Sequence, residues 1–399
     1  MSAVGEQDEE VLPLYGPVCD NDCVCFAVSR VEAEKESQYG STSMPLFRRL
    51  NVLDRFLTVW TLVSMAAGLL VGYYAPWVGD SLRTVTVGSV SLPVALGLIV
   101  MLLPVFCKVP YETLRDVARE TGLVRQLGFS FALNWLVGPL LMTALAWATL
   151  PDLVHYRNGV ILVGLARCIA MVLLWNSLAK GSAEYCAILV AFNACLQILL
   201  YAPMAVFYID VVSSGGGDVS AAVFFWDVVQ GVLIFMGIPF ALGVLIRYTL
   251  RTLAGKVWFD NTFVPRFSPL ALIGLLYTVF VLFAAQGHNV IAQVGPVARV
   301  AVPLLFYFAI MYSLTLFFAY RSGFPYKLAI TQALTASSNN FELAIAIAVA
   351  TFGVTSPEAL AAIVGPLVEV PVLLGLVSLA SHFQPWWASR IQEGSMEML

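Results

Sequence analysis

Charge is scarce in this sequence. Asp, Glu, Lys and Arg make up 12 % of its 399 residues, against roughly 25 % in a soluble domain, and that shortage excludes most folds that keep a water-covered surface. Histidine is scarcer still: His155, His288 and His382 lie apart, at loop or span ends, and form no cluster for a metal centre. The chain also lacks a Gly-rich nucleotide loop and a Gly-X-Ser-X-Gly nucleophile elbow, which removes the usual sequence grounds for an enzyme. Cysteine is sparse and scattered. Cys19, Cys23 and Cys25 sit near the N-terminus, while Cys107, Cys168, Cys186 and Cys195 lie in or beside apolar runs, so no disulfide scaffold is implied. The N-terminal trio either binds a soft metal or is incidental, and carries no assigned role. No cofactor and no nucleic-acid partner is expected.

What fills the chain instead is hydrocarbon. Hydrophobic residues reach 60 % and the mean hydropathy is +0.85. A helix needs about 20 apolar residues to cross the roughly 30 Å core of a bilayer. Ten runs meet that need: Phe56 to Pro76, Ser91 to Cys107, Val124 to Thr149, Gly159 to Leu178, Tyr185 to Ile209, Val228 to Ile246, Phe267 to Gln286, Val297 to Tyr320, Leu328 to Phe352 and Glu358 to His382. They are apolar on every face and do not alternate as barrel strands would. The expected fold is therefore an all-α integral membrane protein of ten transmembrane helices. Basic residues stay on the cytoplasmic side of short loops. With the N-terminus inside, Arg83, Arg157 and Arg299 fall outside, Arg167 falls within a span, and every other Lys and Arg is cytoplasmic. Both termini are then cytoplasmic.

The expected organisation is an acidic, disordered tail over residues 1–50, a first five-helix unit over 51–210, an external Gly-rich linker over 211–227, a second five-helix unit over 228–385 and a short cytoplasmic tail over 386–399. No basic start, short apolar core and cleavage site is evident, so no removable signal peptide is expected. Two halves of five spans must enter the membrane from opposite sides, the pattern of inverted-repeat carriers. Shifting the chain by 174 residues lays Ser182-Ala183-Glu184 over Ser356-Pro357-Glu358, and Cys168 over Glu342.

The chemistry has few places to be. Arg167 and Cys168 lie at the centre of the fourth span, where a charge costs at least ~2.5–3.5 kcal/mol. Arg167 either faces a wet cavity and orients a polar solute, or is a buried ion pair with Glu342 or Glu369. The ninth span contains Thr335-Ala336-Ser337-Ser338-Asn339-Asn340-Phe341-Glu342, a polar stretch that predicts a broken helix, since its side chains compete for backbone hydrogen bonds. Glu369 stands just before Pro371 in the tenth span, and Asn193 and Gln197 share a face of the fifth. Glu342 and Glu369 either exchange protons or stay ionised against Arg167. Cys168 is either a small apolar filler or a soft ligand for a centre such as trivalent arsenic or antimony, and the adjacent Arg167 would favour its thiolate.

These residues resemble a known family. Ala166-Arg167-Cys168-Ile169-Ala170-Met171-Val172 with Leu174-Trp175-Asn176, Ser338-Asn339-Asn340-Phe341-Glu342-Leu343-Ala344, and Gly365-Pro366-Leu367-Val368-Glu369-Val370-Pro371-Val372 are similar to the fourth-, ninth- and tenth-span signatures of the arsenical-resistance arsenite permeases. Asn193 and the segment Asn51 to Leu57 extend the likeness, which covers roughly Leu46 to Pro385. The resemblance implies the bile acid, arsenite and riboflavin transporter superfamily, with core and panel subdomains and broken, crossing helices four and nine. It implies arsenite export, and for some members antimonite export, in exchange for protons. Cys168, Arg167, Asn193, Asn340 and Trp175 would bind substrate, and Glu342 and Glu369 would couple protons. Partners are then arsenite, protons and the lipid bilayer, and the expected address is the plasma membrane ahead of the vacuolar membrane. The alternative on the same fold is a sodium-coupled importer of organic anions, with Ser337, Asn339, Asn340 and Glu342 as sodium ligands and Cys168 incidental.

Overall fold

A chain so poor in charge has to satisfy its backbone internally, and helices do so along nearly its whole described length. The computed structural model describes residues 57–84, 86–87, 90–109, 111, 121–213 and 221–396. Cys19, Cys23, Cys25, the expected tail, the Asn51 to Phe56 segment and residues 214–220 of the Gly-rich linker lie outside them. Helices α1 (Leu57–Tyr74) and α2 (Pro76–Thr84) lead to a small antiparallel ribbon, β1 (Thr86–Val87) and β2 (Val90–Ser91), and to α3 (Leu92–Lys108). Next come α4 (Thr121–Phe131) and α5 (Gly138–Thr149), then α6 (Val154–Leu165), α7 (Met171–Leu178) and α8 (Ala183–Val206). The later part has α9 (Ala221–Val232), α10 (Ile238–Leu253), the short α11 (Lys256–Trp258) and α12 (Val264–Phe267), then α13 (Pro269–Ala292) and α14 (Val294–Arg321). It ends with α15 (Tyr326–Ser337), α16 (Phe341–Phe352) and α17 (Pro357–Met396).

Six stretches are long and apolar enough to cross a membrane: Gly122–Thr149, Ala183–Val212, Phe224–Leu253, Lys256–Ala292, Val294–Arg321 and Pro357–Gln384. Shorter apolar helices cover Val59–Tyr74, Leu92–Lys108 and Phe341–Phe352. The chain is an all-helical integral membrane protein apart from its two-residue strands. Leu70, Trp226, Leu245 and Phe317 are exposed on its flanks, as a hydrocarbon solvent permits.

Prolines shape several of these helices without ending them. Pro139, Pro239 and Pro265 each stand second in a helix that follows a π-helical turn, over Ala132–Val137, Leu233–Gly237 and Phe259–Phe263 respectively. A proline has no N–H and collides with the carbonyl four residues back, and one extra residue in the turn relieves both faults. Two expected boundaries shift for related reasons. The linker is shorter than 211–227, because the chain is helical to Val212 and again from Ala221, carrying the apolar Phe224 to Trp226. The C-terminal tail is helical too, since α17 passes Pro385 and continues to Met396.

Helices α1 and α13 meet through small residues. A Cβ on Gly68 would come 2.6 Å from the Phe280 carbonyl oxygen, and one on Gly72 would come 2.5 Å from that of Ala284. This Gly-X-X-X-Gly stripe lets two backbones touch where no hydrophobic effect drives helices together. Gly72→Val should therefore cost on the order of 1–3 kcal/mol by overpacking. Gly128→Ala, which places its Cβ in open space, should be neutral. Thermal unfolding of the purified protein in detergent compares the two, and equal melting temperatures would refute the close packing.

Candidate functional site

Two helices are interrupted, and their interruptions meet. The first breaks between α6 and α7, where Ala166 turns extended at φ −82°, ψ 117°. The second breaks between α15 and α16, where Ser338 is extended at φ −94°, ψ 148°. Arg167 and Asn339 form an antiparallel bridge across the gap, and Asn340 N donates to Ala166 O at 3.1 Å. Each break thus supplies backbone partners for the other, which matters where water is excluded.

Side chains finish the helix ends. Asn339 Nδ2 donates to Val163 O at 2.9 Å and to Ala166 O at 3.1 Å, closing the C-terminal turn of α6. Asn340 Oδ1 accepts from Leu343 N at 3.1 Å and caps the N-terminus of α16. Ser182 and Ser356 cap α8 and α17, accepting from Tyr185 N at 3.4 Å and Ala359 N at 3.2 Å. A clasp of Asn176, Thr331 and Ser182 ties the far ends of the two interrupted helices: Thr331 Oγ1 donates to Asn176 Oδ1 at 2.7 Å, and Asn176 Nδ2 donates to Ser182 O at 2.9 Å. Gly181 is required beside it, because a Cβ there would lie 1.9 Å from Asn176 Oδ1.

Arg167 is fully buried, and its bonds differ from both sequence expectations. Nη2 donates to Gly164 O, and Nη1 donates at 2.8 Å to Tyr307 Oη, which in turn donates to Ala336 O at 3.3 Å. Gly138 leaves the room, since its Cβ would sit 2.9 Å from Nη1. The guanidinium therefore lies at the C-terminal ends of α6 and α15, where the helix dipoles favour positive charge. Its partners are carbonyls and a phenol, and among the described residues it forms no ion pair with Glu342 or Glu369. Its backbone N–H donates to Gln197 Oε1.

Cys168 points the other way, as neighbours in extended backbone do. The thiol is 2 % exposed, with Ser338, the backbone of Val172, Glu342 and Glu369 as its interacting neighbours. Arg167 is not among those neighbours. Glu342 is buried in the first turn of α16. Glu369 is buried on α17, with Oε1 accepting from Asn339 N at 3.4 Å. Cys168, Glu342, Glu369, Ser338, Asn339 and Asn340 are thus brought together.

Asn193 is buried on α8 and Trp175 on α7. Asn193 Oδ1 accepts from Trp135 Nε1 at 3.0 Å, while its Nδ2 has no protein partner. Buried Trp175 Nε1, Asn339 Oδ1 and Glu369 Oε2 also lack partners. Such atoms fit a small, neutral solute rich in hydroxyls that offers both donors and acceptors. Tyr307, Trp135 and Asn134 escaped the sequence reading. The Gly138-Pro139 pair, which produces the π-helical turn holding Asn134 and Trp135, was the available signal.

Of the oxygens named for the sodium alternative, Asn339 Oδ1 has no protein partner, while those of Ser337 and Asn340 serve their own helices. Ser337 Oγ and Ser338 Oγ donate to Ala333 O and Leu334 O, both at 2.7 Å, and Asn340 Oδ1 is a cap.

Comparisons with known proteins agree on one group. Residues 95–293 match the model of the Sodium Bile acid symporter family. The chain is 43 % identical over 331 residues to the arsenical-resistance protein Acr3 of Corynebacterium glutamicum, covering 82 % of this chain and 89 % of that one. It is 28 % identical to the Acr3 protein of Alkaliphilus metalliredigens, covering 86 % and 96 %. It is 29 % identical to the transporter slr0944 of Synechocystis, covering 85 % and 91 %.

The cap on α16 makes a separable prediction. Asn340→Ala should lower stability by about 1 kcal/mol, within the 0.5–2 kcal/mol range of lost caps, and Asn340→Ser should recover most of it. Melting curves of the three proteins decide this. If serine is as damaging as alanine, the side chain is not acting as a cap.

Proposed function

Because the chain belongs to the arsenical-resistance family of membrane transporters, we propose that it exports arsenite from the cytoplasm in exchange for protons. Antimonite, which shares the thiol chemistry, is the second cargo to test. The observation that carries this reading is the position of Cys168, next to the Arg167–Asn339 bridge at the crossing where Glu369 accepts from Asn339 N and Glu342 opens α16. Arsenite is a weak acid and mostly neutral near neutral pH, so an ionic site would hold it poorly. A thiol holds it through one soft bond. As the As–S bond forms, one As–O bond breaks and the thiol proton leaves with that hydroxyl as water. Glu342 can take the proton from sulfur and pass it to the departing oxygen. Asn193, Trp175 and Asn340 surround the cargo, and Arg167 holds the crossing together. Entry of an external proton onto Glu342, assisted by Glu369, then favours release and the return step.

The finer architecture belongs to the same proposal. Ten spans, counting each interrupted helix once, form two inverted five-helix repeats separated by the linker after Val212. The N-cap serines support the repeat: Ser182 and Ser356 cap equivalent helices 174 residues apart, the offset that relates Cys168 to Glu342. Helices α1, α3, α10 and α13 make the panel, and the crossing with α14 and α17 makes the core. Both termini are cytoplasmic and the plasma membrane is the address. In that topology Asp152 is external and Ala254 cytoplasmic. An impermeant maleimide added to intact cells should label Asp152→Cys and spare Ala254→Cys, and the reverse pattern would overturn the orientation.

Vesicles turned inside out test the transport. Arsenite should accumulate under a pH gradient without sodium, and Cys168→Ser and Cys168→Ala should abolish it at equal protein level. Glu342→Gln should remove the proton drive. Wild-type export by both cysteine variants would sink the thiol mechanism, and retained proton drive in Glu342→Gln would move coupling to Glu369. The Arg299–Asp152 pair does not enter this pH dependence. The guanidinium holds the exposed Asp152 carboxyl down at about 2, so the pair is complete above the ordinary 3.8 and is lost only as pH falls toward 2.

A further inference from the structure

Away from the crossing, a cleft of about 260 Å³ opens between α14, α15 and α17, walled by Tyr312, Leu316, Tyr326, Ile330, Leu379 and Trp387. The polar atoms of its three large aromatic side chains already have partners. Tyr312 Oη donates to Leu376 O at 3.2 Å, and Trp387 Nε1 donates to Phe324 O at 3.3 Å. Tyr326 Oη lies 3.1 Å from Ala179 O and 3.2 Å from Ala380 O and donates to one at a time. Such walls offer water little and suit an apolar occupant. The volume lies below the 300–1,000 Å³ usual for drug-sized ligands, which suits a stretch of one chain.

The surroundings say which chain. The lip includes the exposed Leu379 and Phe383, the kind of surface that hydrocarbon covers. At one end Tyr320 and Tyr326 set their rings edge-on to Trp387, at 5.2 and 6.4 Å between centroids. Exposed Arg321 and Lys327 directly follow those tyrosines, and exposed Arg125 donates to Ser322 O at 3.3 Å. Arg321 to Lys327 contains no acidic residue. Aromatic rings next to basic side chains mark the edge of a bilayer, where phosphate groups lie.

We propose that this cleft binds one acyl chain of an anionic phospholipid, with its phosphate held by Arg321, Lys327 and Arg125. The lipid would brace the crossing, because the Tyr326 hydroxyl in the cleft wall reaches Ala179, the residue that ends α7. The proposal is independent of what the protein carries.

The test uses the purified full chain in phosphatidylcholine nanodiscs containing phosphatidylglycerol with a photoreactive diazirine in its acyl chain. Crosslinks, mapped by mass spectrometry, should concentrate on Leu316, Ile330 and Leu379, and unlabelled phosphatidylglycerol should displace them better than phosphatidylcholine. Ser313→Trp fills the mouth from an exposed position and should disperse the crosslinks. Arg321→Gln should lower the preference for phosphatidylglycerol about fivefold, the ratio matching ~1 kcal/mol per basic residue near anionic lipid. Crosslinks spread evenly over Phe306, Phe317 and the other lipid-facing residues would overturn the proposal. So would focused crosslinks that persist in Ser313→Trp, or equal competition by the two lipids.

Discussion

The structure depends on the hydrogen bonds that two broken helices make to each other. Interrupting a helix in hydrocarbon exposes N–H and C=O groups, each costing several kcal/mol if unpaired. Here Asn340 N finds Ala166 O, Asn339 Nδ2 covers the last carbonyls of α6, and Asn340 Oδ1 covers the first amides of α16. The bonds to Ala166 and Val163 exist only if both breaks sit at the same depth and in register, whereas the Asn340 cap is local to α16. The clasp of Asn176, Thr331 and Ser182 at the far ends holds that register from a second point.

The crossing also sorts charge. Four helix ends meet there, and dipoles make the C-terminal pair attractive to cations and the N-terminal pair to anions. Arg167 goes to the ends of α6 and α15, while Glu342 lies in the first turn of α16 and Glu369 reaches the Asn339 amide. An arginine and two glutamates in one small volume therefore need not neutralise each other. The thiol falls on the acidic side. On the export reading, its reaction with a neutral hydroxylated metalloid releases water and does not need a neighbouring cation to hold it as a free anion.

Much of this was legible from residue types, and the limits were physical. Charge scarcity and long apolar runs disclosed a membrane protein, because the bilayer punishes exceptions to both. The run from Ser337 to Glu342 disclosed the interrupted helix, because hydroxyls and amides do not suit a lipid-facing helix. Side-chain direction was hidden. Arg167 beside Cys168 suggested cooperation, but extended backbone sends neighbours to opposite sides, and helical or extended geometry at one residue pair cannot be read from composition. Tyr307 was hidden for another reason: one tyrosine in an apolar helix looks like any other until its hydroxyl is seen between Arg167 and Ala336. Helix ends at Val212 and Met396 were missed because Asp210 and Pro385 look like stops, while a membrane helix can carry either at its edge.

The polar atoms left over complete the argument. Among the buried polar atoms, Arg167 Nε, Trp175 Nε1, Asn193 Nδ2, Asn339 Oδ1 and Glu369 Oε2 are left without protein partners. An orphaned buried group costs roughly 1–3 kcal/mol. Several together in a dry interior are a standing cost that better packing would remove, unless something that passes through satisfies them. On the export reading that visitor is a triol, able to donate to the carboxylate and amide oxygens and accept from the indole and amide nitrogens while sulfur holds its metalloid. One thiol is then an advantage. A carrier has to let go of its cargo, and a single soft bond among hydrogen bonds is strong enough to select the metalloid and weak enough to release it.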